Sequence, residues 1–167
     1  MRDRGLQTYV RKLLKEKPSQ AFRIHTEGTR RGCYYQVAIF NSLGALRRAA
    51  SAVTQKTLDH RTGKPSGTGG FGNCAGLTHS MDILTKGAKA WQRRAICGFV
   101  LLHNGHLGAG YVAHECYHAA TYYVGRREGK TGSPYDDREL DERIAWIGGQ
   151  LVADFWSEFY KRNPVQS

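Results

Sequence analysis

Cysteine and long apolar runs are scarce in this chain of 167 residues, and each scarcity excludes a class of protein. No stretch approaches the length of a membrane-spanning helix, and the first residues lack the apolar region of a signal peptide. The cysteines form no C-x-x-C pair, which argues against a disulfide scaffold and leaves a cysteine-bound zinc as a weak alternative. We therefore expect a cytoplasmic protein with reduced thiols at Cys33, Cys74, Cys97 and Cys116.

Acidic residues are also few, with 14 Asp and Glu against 25 Lys and Arg, for a formal net charge of +11. Residues 5–17 have the apolar periodicity of a helix with basic groups around it, ended by Pro18. A basic helix can bind nucleic acid, an acidic protein surface or a membrane headgroup layer, whereas the alternative is the solvated face of a docked helix. The basic residues near this end are Arg2, Arg4, Arg11, Lys12, Lys15 and Lys17.

The motif HExxH occupies residues 114–118. On a helix, His114 and His118 lie four residues apart on one face and can bind one metal ion. Glu115 lies one step around the helix, where its carboxylate can reach a water molecule held by that ion. The motif therefore predicts a hydrolytic zinc site, and the alternative is two histidines on a surface helix with no metal-binding role.

The neighbouring residues favour a helix that begins near Tyr111 and continues to Val124, with Gly125 as its C-terminal cap. His114 and His118 lie on one side of this helix. The opposite side is apolar and should pack against a core, which would hold the metal-binding face in place. The apolar side consists of Val112, Cys116, Ala120 and Tyr123.

A second long helix is predicted over residues 136–160, directly after Pro134. Asp136 or Asp137 can cap its first turn, where the helix dipole favours acidic side chains. Apolar residues recur along it every three to four positions and should form the buried stripe. This stripe comprises Leu140, Ile144, Ile147, Leu151, Phe155 and Phe159.

Glu142 lies roughly opposite that stripe and is our first choice for a third metal ligand. It shares its side with a row of small residues, which would let the HExxH helix come close and allow Glu142 to reach the ion. Glu139 is the second choice, followed by Asp141 or Asp136, and the alternative is that all are solvated charges of a helix N-terminus. The small residues are Ala145, Gly149 and Ala153.

HExxH followed by a helix with Glu142 and Ala145 in an E-x-x-A pattern resembles the gluzincin branch of zinc metallopeptidases. The resemblance is to small members such as the ImmA/IrrE-type peptidases, over about residues 95–160. The glycine and third histidine of the metzincin extension are absent, which favours a carboxylate as third ligand. The resemblance implies a zincin-like fold in which His114, His118 and Glu142 bind zinc and Glu115 is the general base.

Several shorter elements complete the sequence-based prediction. Strands are expected at residues 21–25, 34–40 and 95–102, and helices at about 42–55 and 81–92. A Gly-rich loop covers residues 61–76 and contains a formal G-x-G-x-x-G at 67–72. No strand leads into that pattern and no clear helix follows it, so a dinucleotide site is not expected.

His103 and His106 flank an Asn-Gly turn after the strand at 95–102. Their spacing is compatible with a second metal site, but ordinary turn histidines are the simpler interpretation. A hydrolase also needs a donor for the developing oxyanion besides the metal, and the sequence does not choose among the candidates. These candidates are His103, His106, Tyr111, Tyr122 and Tyr135.

Together these features predict one α+β domain over residues 1–167, with a small antiparallel or mixed sheet beside the HExxH helix and a long C-terminal helix. The leading function is a zinc-dependent metallopeptidase that cleaves a protein or peptide substrate and uses Zn²⁺ as its cofactor. The alternative is a basic nucleic-acid-associated or regulatory binding protein with a structural or catalytically inactive zinc site. The size and charge suit a phage or mobile-element accessory protein.

Overall fold

The computed structural model describes residues 14–26, 33–56, 75–80, 96–127 and 137–164. Within these ranges the predicted α+β class is confirmed. The predicted helix at 81–92, the G-x-G-x-x-G pattern and residues 5–13 of the basic helix lie outside the described residues. The described elements are strand β1 (Gln20–His25), strand β2 (Tyr34–Phe40), helix α1 (Leu43–Lys56), strand β3 (Gly76–Ser80), strand β4 (Ile96–His103), a 3₁₀ turn (Asn104–His106), helix α2 (Ala109–Arg127) and helix α3 (Arg138–Arg162).

The four described strands form one mixed sheet in the order β1-β2-β4-β3. The two inner strands, β2 and β4, are parallel, whereas β1 pairs antiparallel with β2 and β3 pairs antiparallel with β4. Three of these strands were predicted and lie within a residue of the expected bounds. β3 was not predicted, since Gly76 begins it and its five residues carry little apolar periodicity.

The inner strands are buried along almost their whole length because helices cover both faces of the sheet. Successive side chains of a strand point to opposite faces, so each inner strand contributes to two separate cores. The first core lies under α1 and includes Ala38, Phe40, Phe99 and Leu101. The second lies under α2 and α3 and includes Tyr35, Val37, Ile39, Val100 and Leu102.

The long C-terminal helix is confirmed as α3, and Asp137 is its N-cap. The Asp137 carboxylate accepts a hydrogen bond from the backbone N–H of Leu140 at 3.1 Å, which satisfies one of the unpaired donors of the first turn. The predicted apolar stripe is buried from Leu140 to Phe155. The predicted cap of the HExxH helix at Gly125 is wrong, because α2 continues through Gly125 to Arg127 with Val124 buried in the core.

Candidate metal centre

The two histidines of the HExxH motif converge on the exposed side of α2. The Nε2 atoms of His114 and His118 are 3.1 Å apart, and their ring centroids are 4.6 Å apart with the rings almost perpendicular. Two nitrogens bound to one tetrahedral ion at about 2.0–2.1 Å would lie about 3.3 Å from each other. The observed separation is therefore close to what a shared metal ion requires.

The opposite side of α2 fixes the direction in which these histidines point. Val112, Cys116 and Ala120 are buried in the core between the helices and the sheet, as predicted. In addition, the Tyr35 hydroxyl of β2 donates a buried hydrogen bond of 2.8 Å to the carbonyl oxygen of Ala119. Since these contacts hold one side of the helix against the sheet, the imidazoles are left on the solvent side.

Glu115 is buried between α2 and the edge strand β3, with only 5% of its surface exposed. The Thr78 hydroxyl lies 2.7 Å from Oε2 of Glu115 and 2.8 Å from the Glu115 carbonyl oxygen. A hydroxyl has one proton to donate, and an ionised carboxylate is the stronger of the two acceptors. Thr78 therefore orients the carboxylate that the sequence predicts as a general base.

Gly76 allows β3 to approach Glu115 closely. A Cβ atom at this position would lie 2.6 Å from Cε1 of Tyr111 and 3.1 Å from Oε1 of Glu115. The first of these distances is a clash, so any side chain at position 76 would displace the strand or the Tyr111 ring. Sequence reasoning missed both Gly76 and Thr78, because nothing local marks a threonine 37 residues before Glu115 as its partner.

The side of α3 that carries Glu142 does not face α2. Glu142 and the small residues that share its side are all exposed, and a Cβ at Gly149 would meet no described heavy atom within 4 Å. The contact with α2 is made instead at Gly148, where a Cβ would lie 3.8 Å from the Cβ of Ala120. The predicted packing of the row formed by Ala145, Gly149 and Ala153 against the HExxH helix is therefore wrong.

The two helices run in opposite directions. Two contacts show that α3 runs from the His25 end of β1 to its Gln20 end. The Asp154 carboxylate accepts a hydrogen bond from the His25 backbone N–H, and further along the helix Asn163 accepts one from the Gln20 side chain. α2 starts near the C-terminal end of β4 and reaches the opposite end of the sheet at Ala119. The N-terminal turns of α3 consequently lie beside the C-terminal turns of α2.

This arrangement separates Glu142 from the imidazole pair. Gly148 lies level with Ala120, and Glu142 precedes Gly148 by about 9 Å along the helix axis at 1.5 Å per residue. Because the helices are antiparallel, Glu142 lies level with a part of α2 that follows Ala120. His118 precedes Ala120 by about 3 Å along the axis of α2 and so lies in the opposite direction. The structure therefore does not bring Glu142 to His114 and His118.

The other predicted third ligands do not complete the centre either. Glu139 and Asp141 are exposed in the first turn of α3, and Asp136 lies outside the described residues. Within the described ranges, no three His, Cys, Asp or Glu side chains are grouped so as to hold a metal ion. Within those ranges, His114 and His118 are the candidate ligands that the structure brings together.

The thiol of Cys116 is directed away from this centre. Cys116 is fully buried on the core side of α2, and desolvation, with a smaller effect of the Glu115 charge, raises its pKa to about 12. A protonated, buried thiol is a poor metal ligand, because ligation requires the thiolate. Within the described ranges, Cys33, Cys97 and Cys116 do not join the histidines in a metal-binding group.

Among the candidate oxyanion donors, Tyr111 shares the neighbour Gly76 with the predicted base Glu115. Its ring is packed against Gly76 and 6.2 Å, centroid to centroid, from the ring of His106. Tyr122 is partly exposed further along α2, and Tyr135 lies outside the described residues. The geometry favours Tyr111 among the tyrosines, since it borders both β3 and the histidine face of α2.

Comparison with known proteins gives no relative for this chain. No protein-family model matches it, and neither a curated protein nor a solved structure matches it. In the parts of the chain that the structure describes, no helix combines the length and the apolar character needed to cross a bilayer. The function is therefore inferred from the residues of the candidate centre.

Proposed function

We propose that this chain is a zinc-dependent hydrolase that cleaves peptide bonds. The observation that carries the proposal is the convergence of the Nε2 atoms of His114 and His118 beside the buried Glu115. Two imidazoles and a neighbouring carboxylate are the groups that hydrolytic zinc chemistry uses. Burying a carboxylate is costly. Two surface histidines with no metal-binding role would not account for the burial of Glu115 beside them, whereas a metal site that needs a general base does.

In the proposed reaction, His114 and His118 hold the metal through Nε2. Zinc, when bound there, supplies a Lewis acid that activates water and polarises the substrate carbonyl. Glu115 accepts a proton from the attacking water on its carboxylate and then delivers that proton to the leaving amine nitrogen. The Thr78 hydroxyl keeps the carboxylate in one orientation, so that little reorganisation is needed at the moment of proton transfer. Glu142 is not part of the ligand set that we propose.

The position of β3 supports a peptide as the substrate. β3 is an edge strand of the described sheet, with β4 on one side, and it packs against α2 next to Glu115. An extended peptide can add to such an edge through main-chain hydrogen bonds. A substrate bound along β3 would lie beside the residues that we assign to the chemistry.

Metal analysis tests the first part of the proposal. Purified protein should contain about one zinc per chain, and the His114→Ala and His118→Ala variants should lose most of it. His79→Ala is a matched control, because its neighbour Thr78 faces α2 and alternation directs His79 to the other face of the sheet. Equal zinc content in the control and in the two α2 variants would contradict the proposal.

Hydrolysis of a fluorescently labelled casein tests the second part. Glu115→Gln should keep the zinc and the circular dichroism spectrum but reduce the rate by at least about 100-fold, since general-base catalysis contributes 10²–10⁴-fold. Glu142→Gln is the matched carboxylate-to-amide control and should retain activity. Undiminished hydrolysis by the Glu115→Gln variant would exclude Glu115 as the general base.

The net charge of +11 supports a second candidate function, a basic binding protein whose zinc is structural or inactive. Under that alternative, Glu115→Gln leaves function intact, and neutralising Arg11, Lys12 and Lys15 removes binding to nucleic acid. Among the described basic residues, Arg48 is paired with Glu16 at 2.6 Å, and Lys161 and Arg162 both contact Glu158. These three cations already form ion pairs within the fold and are therefore weaker candidates for contacts with nucleic acid.

A further inference from the structure

A second pair of imidazoles lies in the turn between β4 and α2. His103 ends β4 and His106 ends the 3₁₀ turn that follows. Their Nδ1 atoms are 2.9 Å apart, with ring centroids 5.2 Å apart, on an exposed part of the surface. We call His103 and His106 the turn pair.

The proton on the His103 ring is placed by its other contact. Its Nε2 atom lies 3.3 Å from the carbonyl oxygen of Asn41, which can only accept a hydrogen bond. Nε2 therefore carries the hydrogen in the neutral ring, and Nδ1 presents a lone pair towards His106. Histidines that bind metals commonly donate the other ring N–H to a backbone carbonyl in this way, which fixes the tautomer and the ring orientation.

Two further features hold the His103 ring in position. A Cβ atom at Gly105 would lie 2.9 Å from Cε1 and 3.2 Å from Nδ1 of His103, so the ring occupies space that only a glycine leaves open. The backbone N–H of His103 also donates to the carbonyl oxygen of Ala75 at 2.9 Å, which anchors the residue to the strand region. The lone pair on Nδ1 is therefore directed by the fold rather than by free rotation of a surface side chain.

We propose that the turn pair binds one divalent transition-metal cation, separately from the pair on α2. Nitrogens at right angles around an ion, at about 2.0–2.1 Å from it, are about 2.9 Å apart, which is the observed separation. Imidazole nitrogen favours zinc, nickel and copper over magnesium or calcium, and Cu²⁺ binds most tightly in this series. With two protein ligands on an exposed surface, water completes the coordination and the ion is exchangeable.

The location of the turn pair gives the inference a structural context. The ring of His106 contacts the ring of Tyr111, and Tyr111 packs against Gly76 next to Glu115. A cation bound by the turn pair would thus sit near the N-terminal end of α2, on the approach to the α2 histidines. The proposal does not depend on the function suggested above, since it concerns different ligands.

Copper titration of the metal-free full chain tests the proposal. Isothermal titration and electron paramagnetic resonance should show two Cu²⁺ ions in the unmodified protein, and one in a variant carrying His114→Ala and His118→Ala. Adding His103→Gln and His106→Gln to that variant should remove the remaining ion and its imidazole-nitrogen hyperfine structure. Asn104→Ala, an exposed substitution in the same turn, is the matched control and should bind as the parent does.

Two outcomes would overturn the inference. Equal Cu²⁺ binding before and after His103→Gln and His106→Gln would mean that the turn pair only forms a hydrogen bond between rings. Gly105→Ala, which removes no ligand, should weaken the turn site by about tenfold or more, and unchanged affinity would contradict the preorganised geometry. If the α2 histidines do not bind a metal ion, the variant carrying His114→Ala and His118→Ala will bind as much Cu²⁺ as the unmodified protein. That result is distinguishable from a failure of the turn pair.

Discussion

The hydrogen bond between Thr78 and Glu115 gives the sharpest prediction. Thr78→Val keeps the size of the side chain but removes the hydroxyl that donates to Oε2 at 2.7 Å. A hydrogen bond to a charged group contributes about 1.5–3 kcal/mol, and both residues are buried, at 7% and 5% exposure, so solvent cannot replace the lost donor. We expect the free energy of unfolding to fall by that amount, and Tm to fall by about 3–12 °C.

Urea unfolding followed by tryptophan fluorescence and circular dichroism would measure this loss. Thr78→Ser should recover most of the stability, because it retains the hydroxyl. Thr54→Val is a matched control: its buried hydroxyl donates to the neutral carbonyl of Ala50 at 3.0 Å, so we expect a smaller loss of about 0.5–1.5 kcal/mol. A Thr78→Val variant as stable as the parent, or a double-mutant cycle with Glu115→Gln that gives no coupling, would refute the reasoning.

Three further changes test other parts of the structure. Gly76→Ala should destabilise the protein and slow casein hydrolysis, since its Cβ would clash with Tyr111; stability and rates equal to the parent would show that β3 can move without cost. Cys116 should resist iodoacetamide at pH 8–9 until denaturant is added, because its pKa is about 12. The Cys116 thiol ionises near pH 9 in the unfolded chain but stays protonated in the folded protein. The free energy of unfolding should therefore fall as pH rises from 9 towards 12. The fall should be smaller in the Cys116→Ala variant. Glu142→Gln should leave the zinc content unchanged, and loss of zinc would restore Glu142 as a ligand.

The elements with strong periodicity were predictable from sequence. Residues 34–40 are apolar or aromatic except for Gln36, and they form strand β2 with the predicted bounds, because a strand covered on both faces needs no polar alternation. The regular apolar stripe of α3 was equally predictable, whereas the sequence left the N-cap open between Asp136 and Asp137. The convergence of His114 and His118 followed from their spacing of four residues on a helix.

The predicted packing of the Glu142 side of α3 against α2 is wrong for a geometric reason. The neighbouring helix was expected opposite the apolar stripe of α3, but in a layer of helices on a sheet the side opposite the stripe points to solvent. Two helices in such a layer touch through the flanks of their stripes, and Gly148 is such a flank position, about 40° from Ile144. The role of Thr78 could not be predicted from sequence for a different reason. Thr78 contacts Glu115 only after β3 has paired with β4, and no local pattern marks that pairing.

Two hydroxyl groups prevent α2 from turning about its own axis. The Tyr35 hydroxyl donates to the carbonyl oxygen of Ala119 from the middle of the sheet, and the Thr78 hydroxyl donates to the side-chain carboxylate of Glu115, one helical turn earlier, from the edge strand β3. A helix tethered at two successive turns from different directions has little rotational freedom. Substitutions at exposed Tyr117 should therefore not change the direction in which the His114 and His118 rings point around the helix axis. This position can vary while the metal-binding side chains keep their orientation.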